Sequence, residues 1–213
     1  PAPPGQGDSR PRKLAARRDS IQNECSRSLR IILLNANKLE SRLDELNWWL
    51  DQQMHIGSPV HVMLFTEPVL GPLADMLVHR GYTLSSPNPS SPHSTNPHFH
   101  TCILSLNDTD SAAITPANLT DSHLGISFVR VSPSAPGASP LYVASVYVPN
   151  PNAPEEYTKD LYETLSKNIS EIIGLGGIPI IGMDANCPFK MPQQHLNTRN
   201  SSHLDKLTEQ HGL

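Results

Sequence analysis

Residues 178–186 read Ile-Pro-Ile-Ile-Gly-Met-Asp-Ala-Asn. The apolar run 178–181 has the length and β-branched character of a buried strand, and it leads straight to Asp184 and Asn186. Outward from this stretch the arrangement recurs. Residues 31–34 run into Asn35 and Asn37, residues 60–65 into Glu67, and residues 141–146 into Tyr147. Apolar strands that each stop at an oxygen-bearing side chain can bring those side chains to one sheet edge, where α/β proteins usually place their sites. The groups are carboxylates, carboxamides and a phenol, with no thiolate, and hard oxygens of this kind suit Mg²⁺ or Mn²⁺ with phosphate and water completing the shell. Each residue alone has a plainer explanation. Glu67 before Pro68 can end a strand ahead of a helix, Asn35 and Asn37 can form turns, Asp184 with Asn186 can make an Asx turn, and Tyr147 is a common strand aromatic. Their shared placement is what points to a site.

Between these strands the periodicity changes. Leu39, Leu43, Leu46 and Leu50 lie on one stripe of a helix expected over 39–54, with Trp48 and Trp49 adding bulk. A short helix is expected over 71–80, with Gly81 at a left-handed cap. The clearest helix spans 154–173: Leu161, Leu165, Ile169, Ile172 and Ile173 supply the stripe, Pro154 suits the first turn, Asn152 and Glu155 resemble a capping box, and Gly174 ends it. Further strands are expected at 101–106, 125–131 and 141–148, and a last short helix around Leu204 and Leu207. Residues 85–97 read as a Ser/Pro/Asn loop. His93, His98 and His100 beside it lack the fixed spacing of a zinc site. Strands alternating with amphipathic helices define an α/β domain whose helices cover sheet faces.

Composition sets the frame. The chain has 213 residues and a net charge of -4, enough for one domain with a sizeable core. Its three cysteines, Cys25, Cys102 and Cys187, form no Cys-x-x-Cys pair, which argues against a disulfide framework or a four-thiolate zinc site and favours a reducing compartment. No apolar run approaches the roughly 18 residues of a membrane span, and no secretory leader is visible, so the expectation is an intracellular protein, nuclear or cytoplasmic. Four Asn-x-Ser/Thr sequons, at Asn107, Asn118, Asn168 and Asn200, are therefore read as coincidental. Residues 1–30 carry seven basic against three acidic residues, a balance of +4 that leaves -8 on the remainder. Residues 1–28 are read as a disordered basic arm and 29–213 as the domain. Because the chain begins at Pro1, it is read as a fragment of a longer product.

The segments LLNAN at 33–37, LFTEP at 64–68, SVYVPNP at 145–151 and IIGMDAN at 180–186 resemble, in order and rough spacing, the successive motifs of the endonuclease/exonuclease/phosphatase superfamily. Asn197-Thr198-Arg199 followed by Leu204, Leu207 and Gly212-Leu213 is similar to the segment after Asp-x-Asn in the endonuclease domains of non-LTR retrotransposons. The resemblance implies a layered sandwich of two mixed β-sheets flanked by helices, with the last strands missing. It also implies Mg²⁺- or Mn²⁺-dependent phosphodiester hydrolysis, in the form of DNA nicking, with DNA as partner and a reverse transcriptase in the same longer polypeptide. Glu67 would be the principal metal ligand, aided by Asn35 and Asn37. Asp184 would orient or deprotonate the attacking water, Asn186 would hold the phosphate or nucleophile, and Tyr147 would contact the phosphate. Thr66 stands where the family has Gln, and Met183 separates Gly182 from Asp184. The family's closing Ser-Asp-His motif is absent from the 213 residues, and His203 and His211 on the last helix do not replace it, so slow turnover or none is expected. Lys38, Arg42, Lys190 and Arg199 are the few cations near the expected site edge. Two other readings stay open: hydrolysis of a small phosphoester or lipid headgroup, which the acidic body suits no less well, and a non-catalytic remnant that retains a binding surface.

Overall fold

Alternation along two central strands decides the layers. The computed structural model describes residues 29–36, 43–67, 81–86, 101–106, 112–121, 123–133, 135–150, 153–187 and 199–213. In chain order they form β1 (Ile31–Asn35), α1 (Leu43–His55), β2 (Val62–Thr66), β3 (Tyr82–Ser86), β4 (Thr101–Leu106), β5 (Ala112–Pro116), β6 (Ile126–Pro133), β7 (Leu141–Tyr147), α2 (Glu155–Gly174), β8 (Ile178–Asp184) and α3 (Arg199–His211). Every residue of β2 is buried. Its odd members, Met63 and Phe65, pack with Leu46 and Leu50 of α1, while Val62 and Leu64 join Ile103, Val129 and Val143 in a second core. Strand β7 does the same in reverse. Val143 belongs to that second core, and Ala144 and Val146 pack with Leu161, Leu165 and Ile169 of α2. Period-two strands with both faces apolar thus place two sheets face to face with helices outside.

The first sheet has the order β1-β2-β4-β3 and the second β5-β6-β7-β8. Each is mixed: β1 with β2 and β7 with β8 are parallel, and the other pairings are antiparallel. The α/β sandwich of two mixed sheets flanked by helices, expected from the motifs, is what the described residues form. The strands at 31–34, 60–65, 101–106, 125–131, 141–148 and 178–181 each fall within two residues of the expected bounds at most ends, and β8 extends three residues further, to Asp184.

The differences are local. Strands β3 and β5 were not anticipated, and Ser85 and Ser86, placed at the start of the loop over 85–97, end β3 instead. Trp48 is 65% exposed and does not join the core, whereas Trp49 does. Pro154 sits at the N-cap of α2, with φ -54 and ψ 136, and no side chain caps that end. The helix includes Gly174, and the left-handed residue beyond it is Gly176 at φ 74. Gly81 does take a left-handed φ of 81, as expected. The basic arm at 1–28, Asn37, Leu39, the helix at 71–80, the three loop histidines, Cys25, Asn152, Lys38, Arg42 and Lys190 lie outside the described residues. Among those described, Cys102 and Cys187 are unpaired, and no helix is long and apolar enough to cross a membrane. Asn168 and Asn200, two of the sequon asparagines, are buried and bonded to backbone carbonyls.

Candidate active site

The inner faces of the two sheets change character along the strands. In the first sheet, Leu33, Leu64 and Ile103 stand side by side in one row, and the next inner row is Asn35, Thr66 and Thr101. In the second, Val129, Val143 and Ile180 share a row, the next is Ser127, Ser145 and Gly182, and Tyr147 pairs with Asp184 one further step along. Both sheets therefore pass from apolar to polar toward the same end. Two residues per step along a strand keep the same face, so the polar ends of both sheets lie at one end of the sandwich.

Asn35 and Asp184 meet there across the two sheets. Asn35 Nδ2 donates to Asp184 Oδ2 at 2.7 Å, a contact that closes 149 residues of chain. The other carboxylate oxygen, Oδ1, accepts the backbone N–H of Asn186 at 3.2 Å, so both Asp184 oxygens are oriented. Asn186 Nδ2 donates to Val148 O at 2.7 Å. Tyr147 completes the group. Partial burial, then a hydrogen bond to Glu67 and that residue's negative charge, push its phenol up to about 12, with Asp184 adding to the rise and a hydrogen bond with Asn186 opposing it. The phenol is a donor throughout the neutral range. Glu67, Asn35, Tyr147, Asp184 and Asn186 are thus gathered in one place, two from the first sheet and three from the second.

Backbone conformation marks the same residues independently. Among the described residues, Glu67 at φ 51 and Asn186 at φ 43 are the non-glycine positions with positive φ. Left-handed backbone at a glutamate is unfavourable by about 1 kcal/mol or more and persists where surrounding structure imposes it, often at a working site. Asparagine tolerates that region better, and Asn186 is further held by its two hydrogen bonds.

Two contributors, Asn200 and Ser145, carry no signal as site residues in the sequence beyond the spacing of Ser145 from Tyr147. Asn200, wholly buried in the first turn of α3, donates through Nδ2 toward Pro149 O, Ala185 O and Asn186 O at 3.0, 3.1 and 3.3 Å. It ties the loop after β7 to the loop after β8. Arg199 beside it donates to Ala153 O and Thr158 Oγ1 at 2.8 and 3.4 Å, so this cation is spent on joining α3 to α2 rather than offered to a phosphate. Ser145 Oγ donates to Phe65 O at 2.9 Å, from one sheet to the other. The sequence held one clue to Ser145: it precedes Tyr147 by two, as Gly182 precedes Asp184 and so shares its strand face. His203 stacks on Tyr162 with ring centroids 5.3 Å apart, and His211 bonds Ser166 at 2.8 Å, so both histidines face α2.

The zebrafish TDP2 structure, humanised by 14 mutations, superimposes with a TM-score of 0.50 at 13% identity, over 76% of this chain and 63% of that one. The chain shares the overall fold of that structure. Nematode (C. elegans) TDP2 gives a TM-score of 0.46 at 14% identity over 76% of this chain and 50% of that one. The human Nocturnin catalytic domain gives 0.45 at 14% identity over 74% and 60%. The chain therefore spans about 63% of the first of these. No protein-family profile matches the chain, and neither does any curated protein. Within this fold, the five gathered side chains stand at the strand ends where the two sheets meet.

A divalent cation fits the donor set. Among the described residues no three His, Cys, Asp or Glu side chains stand together as a metal cage. Glu67 supplies a carboxylate at the end of β2, and Asn35, at the end of the neighbouring parallel strand, supplies an amide oxygen while its nitrogen is engaged by Asp184. One or two protein oxygens with the rest from water and phosphate is the usual provision for Mg²⁺, not for zinc.

Proposed function

We propose that the chain is a Mg²⁺-dependent phosphodiesterase domain that cleaves a DNA strand. The observation that carries this reading is the Asn35–Asp184 bond, which joins the two sheets at the point where Glu67, Tyr147 and Asn186 also meet. Glu67 and Asn35 would hold the cation. Bound there, the cation would neutralise charge on the phosphate and stabilise an oxyanion. Asp184, with one oxygen fixed by Asn35 and the other by the Asn186 amide, is placed to accept a proton from water, and its fixed orientation aligns that water before attack. Tyr147, neutral up to about pH 12, offers an O–H to a phosphate oxygen as negative charge develops. The choice of DNA rests on the retrotransposon-like motifs at 145–151 and 180–213. A second reading, a small phosphoester or lipid headgroup, suits the acidic body no less well, since a duplex surface needs clustered cations and Arg199 is engaged internally.

The test is hydrolysis of supercoiled plasmid and of bis(p-nitrophenyl) phosphate, each with and without Mg²⁺. Slow, metal-dependent nicking is expected, and Glu67→Gln and Asp184→Asn should each lower the rate at least about a hundredfold. Cleavage of the small ester alone would move the substrate to the second reading. Hydrolysis of neither would leave the remnant reading, and wild-type rates in both variants would place the chemistry elsewhere.

A further inference from the structure

The five site residues come from two separate sheets. Asn35 and Glu67 belong to the first, and Tyr147, Asp184 and Asn186 to the second. Catalytic geometry therefore depends on how the sheets sit against each other, and the apolar core between them, built from residues such as Val62, Leu64, Ile103, Val129 and Val143, is non-directional. That core holds the sheets at a close spacing but supplies no directional contact that specifies which polar groups face each other.

Directional contacts occur one step below the site. Thr101 of β4 and Ser127 of β6 share a hydrogen bond at 2.8 Å between their hydroxyls, both buried. Ser145 of β7, also buried, bonds Phe65 O of β2 at 2.9 Å. Ser127, Ser145 and Gly182 form one cross-strand row. Gly182 keeps that row low: a Cβ there would lie 2.6 Å from Leu64 Cδ1. The sheets thus approach closely where four strands are stitched by buried hydroxyls, directly beneath Tyr147 and Asp184. We infer that Thr101, Ser127 and Ser145 are positioning residues that fix the register between the metal-binding half of the site and the water-activating half. This rests on the phosphodiesterase reading above.

The experiment uses Thr101→Val, which removes a hydroxyl at nearly constant shape, Thr101→Ser, which keeps it, and Ser145→Ala. Thr101 touches none of the five site residues through the bond described, so a response at the site reports the sheets. The first readout needs no activity. The chain has five tyrosines, and a ¹⁹F spectrum of the 3-fluorotyrosine-labelled protein resolves Tyr147, assigned by loss of its line in Tyr147→Phe. Its line should shift or broaden in Thr101→Val and Ser145→Ala, return in Thr101→Ser, and leave those of Tyr82 and Tyr162 in place. In hydrolysis, kcat should fall about tenfold in the first two variants with KM and the Mg²⁺ dependence unchanged, as expected when reacting groups are misaligned but still bound. An unmoved Tyr147 line in both variants would overturn the inference, as would lowered melting temperature with unchanged kcat. If wild-type protein hydrolyses nothing, the functional reading fails by itself, and the Tyr147 line still decides whether the hydroxyls set the sheets.

Discussion

Asn200 makes more contacts to the candidate site than its sequence neighbourhood suggests. Its one amide nitrogen faces three carbonyls, two of them in the Asp184–Asn186 loop, and its side chain is fully buried. Removing it leaves those carbonyls short of a donor and opens a small cavity, a loss of about 2–3 kcal/mol. Asn200→Ala should therefore lower the melting temperature and raise amide exchange selectively at 185–186, measured by hydrogen–deuterium exchange; Asn200→Asp, which brings an acceptor and a charge to three acceptors, should be worse. Equal exchange in wild type and Asn200→Ala would show that the loop is held by something else. The shared placement of Asn35, Glu67, Tyr147, Asp184 and Asn186 is legible in the sequence because each follows an apolar run of strand length. That of Asn200 is not, because a helix start says nothing about which carbonyls from distant loops will lie under it. Its partners are 14 to 51 residues away.

Elements were legible where periodicity is local. The stripes of α1 and α2 announce themselves, and the buried runs of β1, β2, β7 and β8 do so as well. Strand β3 was hidden because Tyr82–Ser86 becomes a strand by pairing with Thr101–Leu106, with a register irregularity between Leu84 and Ser86, and nothing within five residues encodes that partner. Strand β5, mostly exposed, carries one buried alanine and ends in Pro116, a weak signal for an edge strand. A different device fixes the chain where it enters β1 and β2. Arg30 donates its backbone N–H to His61 Nδ1 at 3.0 Å, which requires that nitrogen to be unprotonated. Burial first, then the Arg30 charge, lower the His61 pKa below its usual value of 6.5. Between the folded pKa and 6.5 the unfolded chain binds more protons, so stability there rises with pH; the contribution is complete above 6.5 and is lost as pH falls through the lowered folded value. Thermal melts from pH 7.5 down to 5 should show a destabilisation that His61→Gln, which still offers an acceptor but does not titrate, reduces. Identical pH profiles for the two proteins would remove His61 from the account.

At the scale of the whole molecule, one side of the sandwich differs from the other. Among the described residues each sheet has two edge strands, β1 and β3 in the first and β5 and β8 in the second, and β1 and β8 lie on the same side, where Asn35 and Asp184 join them. The apolar run of β8 that made the fold legible is only half covered there: Ile178 is 49% exposed, and Leu33 of β1 is 41% exposed. A strand edge with free backbone donors and acceptors and apolar side chains is a template for another strand. Which strands lie at the edges is not encoded locally, since edge position is a property of sheet order. Parallel β7–β8 pairing, through the α2 crossover, is what puts β8 outermost. The 213-residue chain should therefore associate with rising concentration in light scattering, and Ile178→Lys should suppress this by placing a charge on the edge. Because Ile178 is the outermost residue of β8 and half in solvent, the melting temperature should change by less than about 4 °C. Unchanged association in Ile178→Lys would mean that β8 is not the adhesive edge, and Leu33→Lys would then test β1 as the surface through which copies meet.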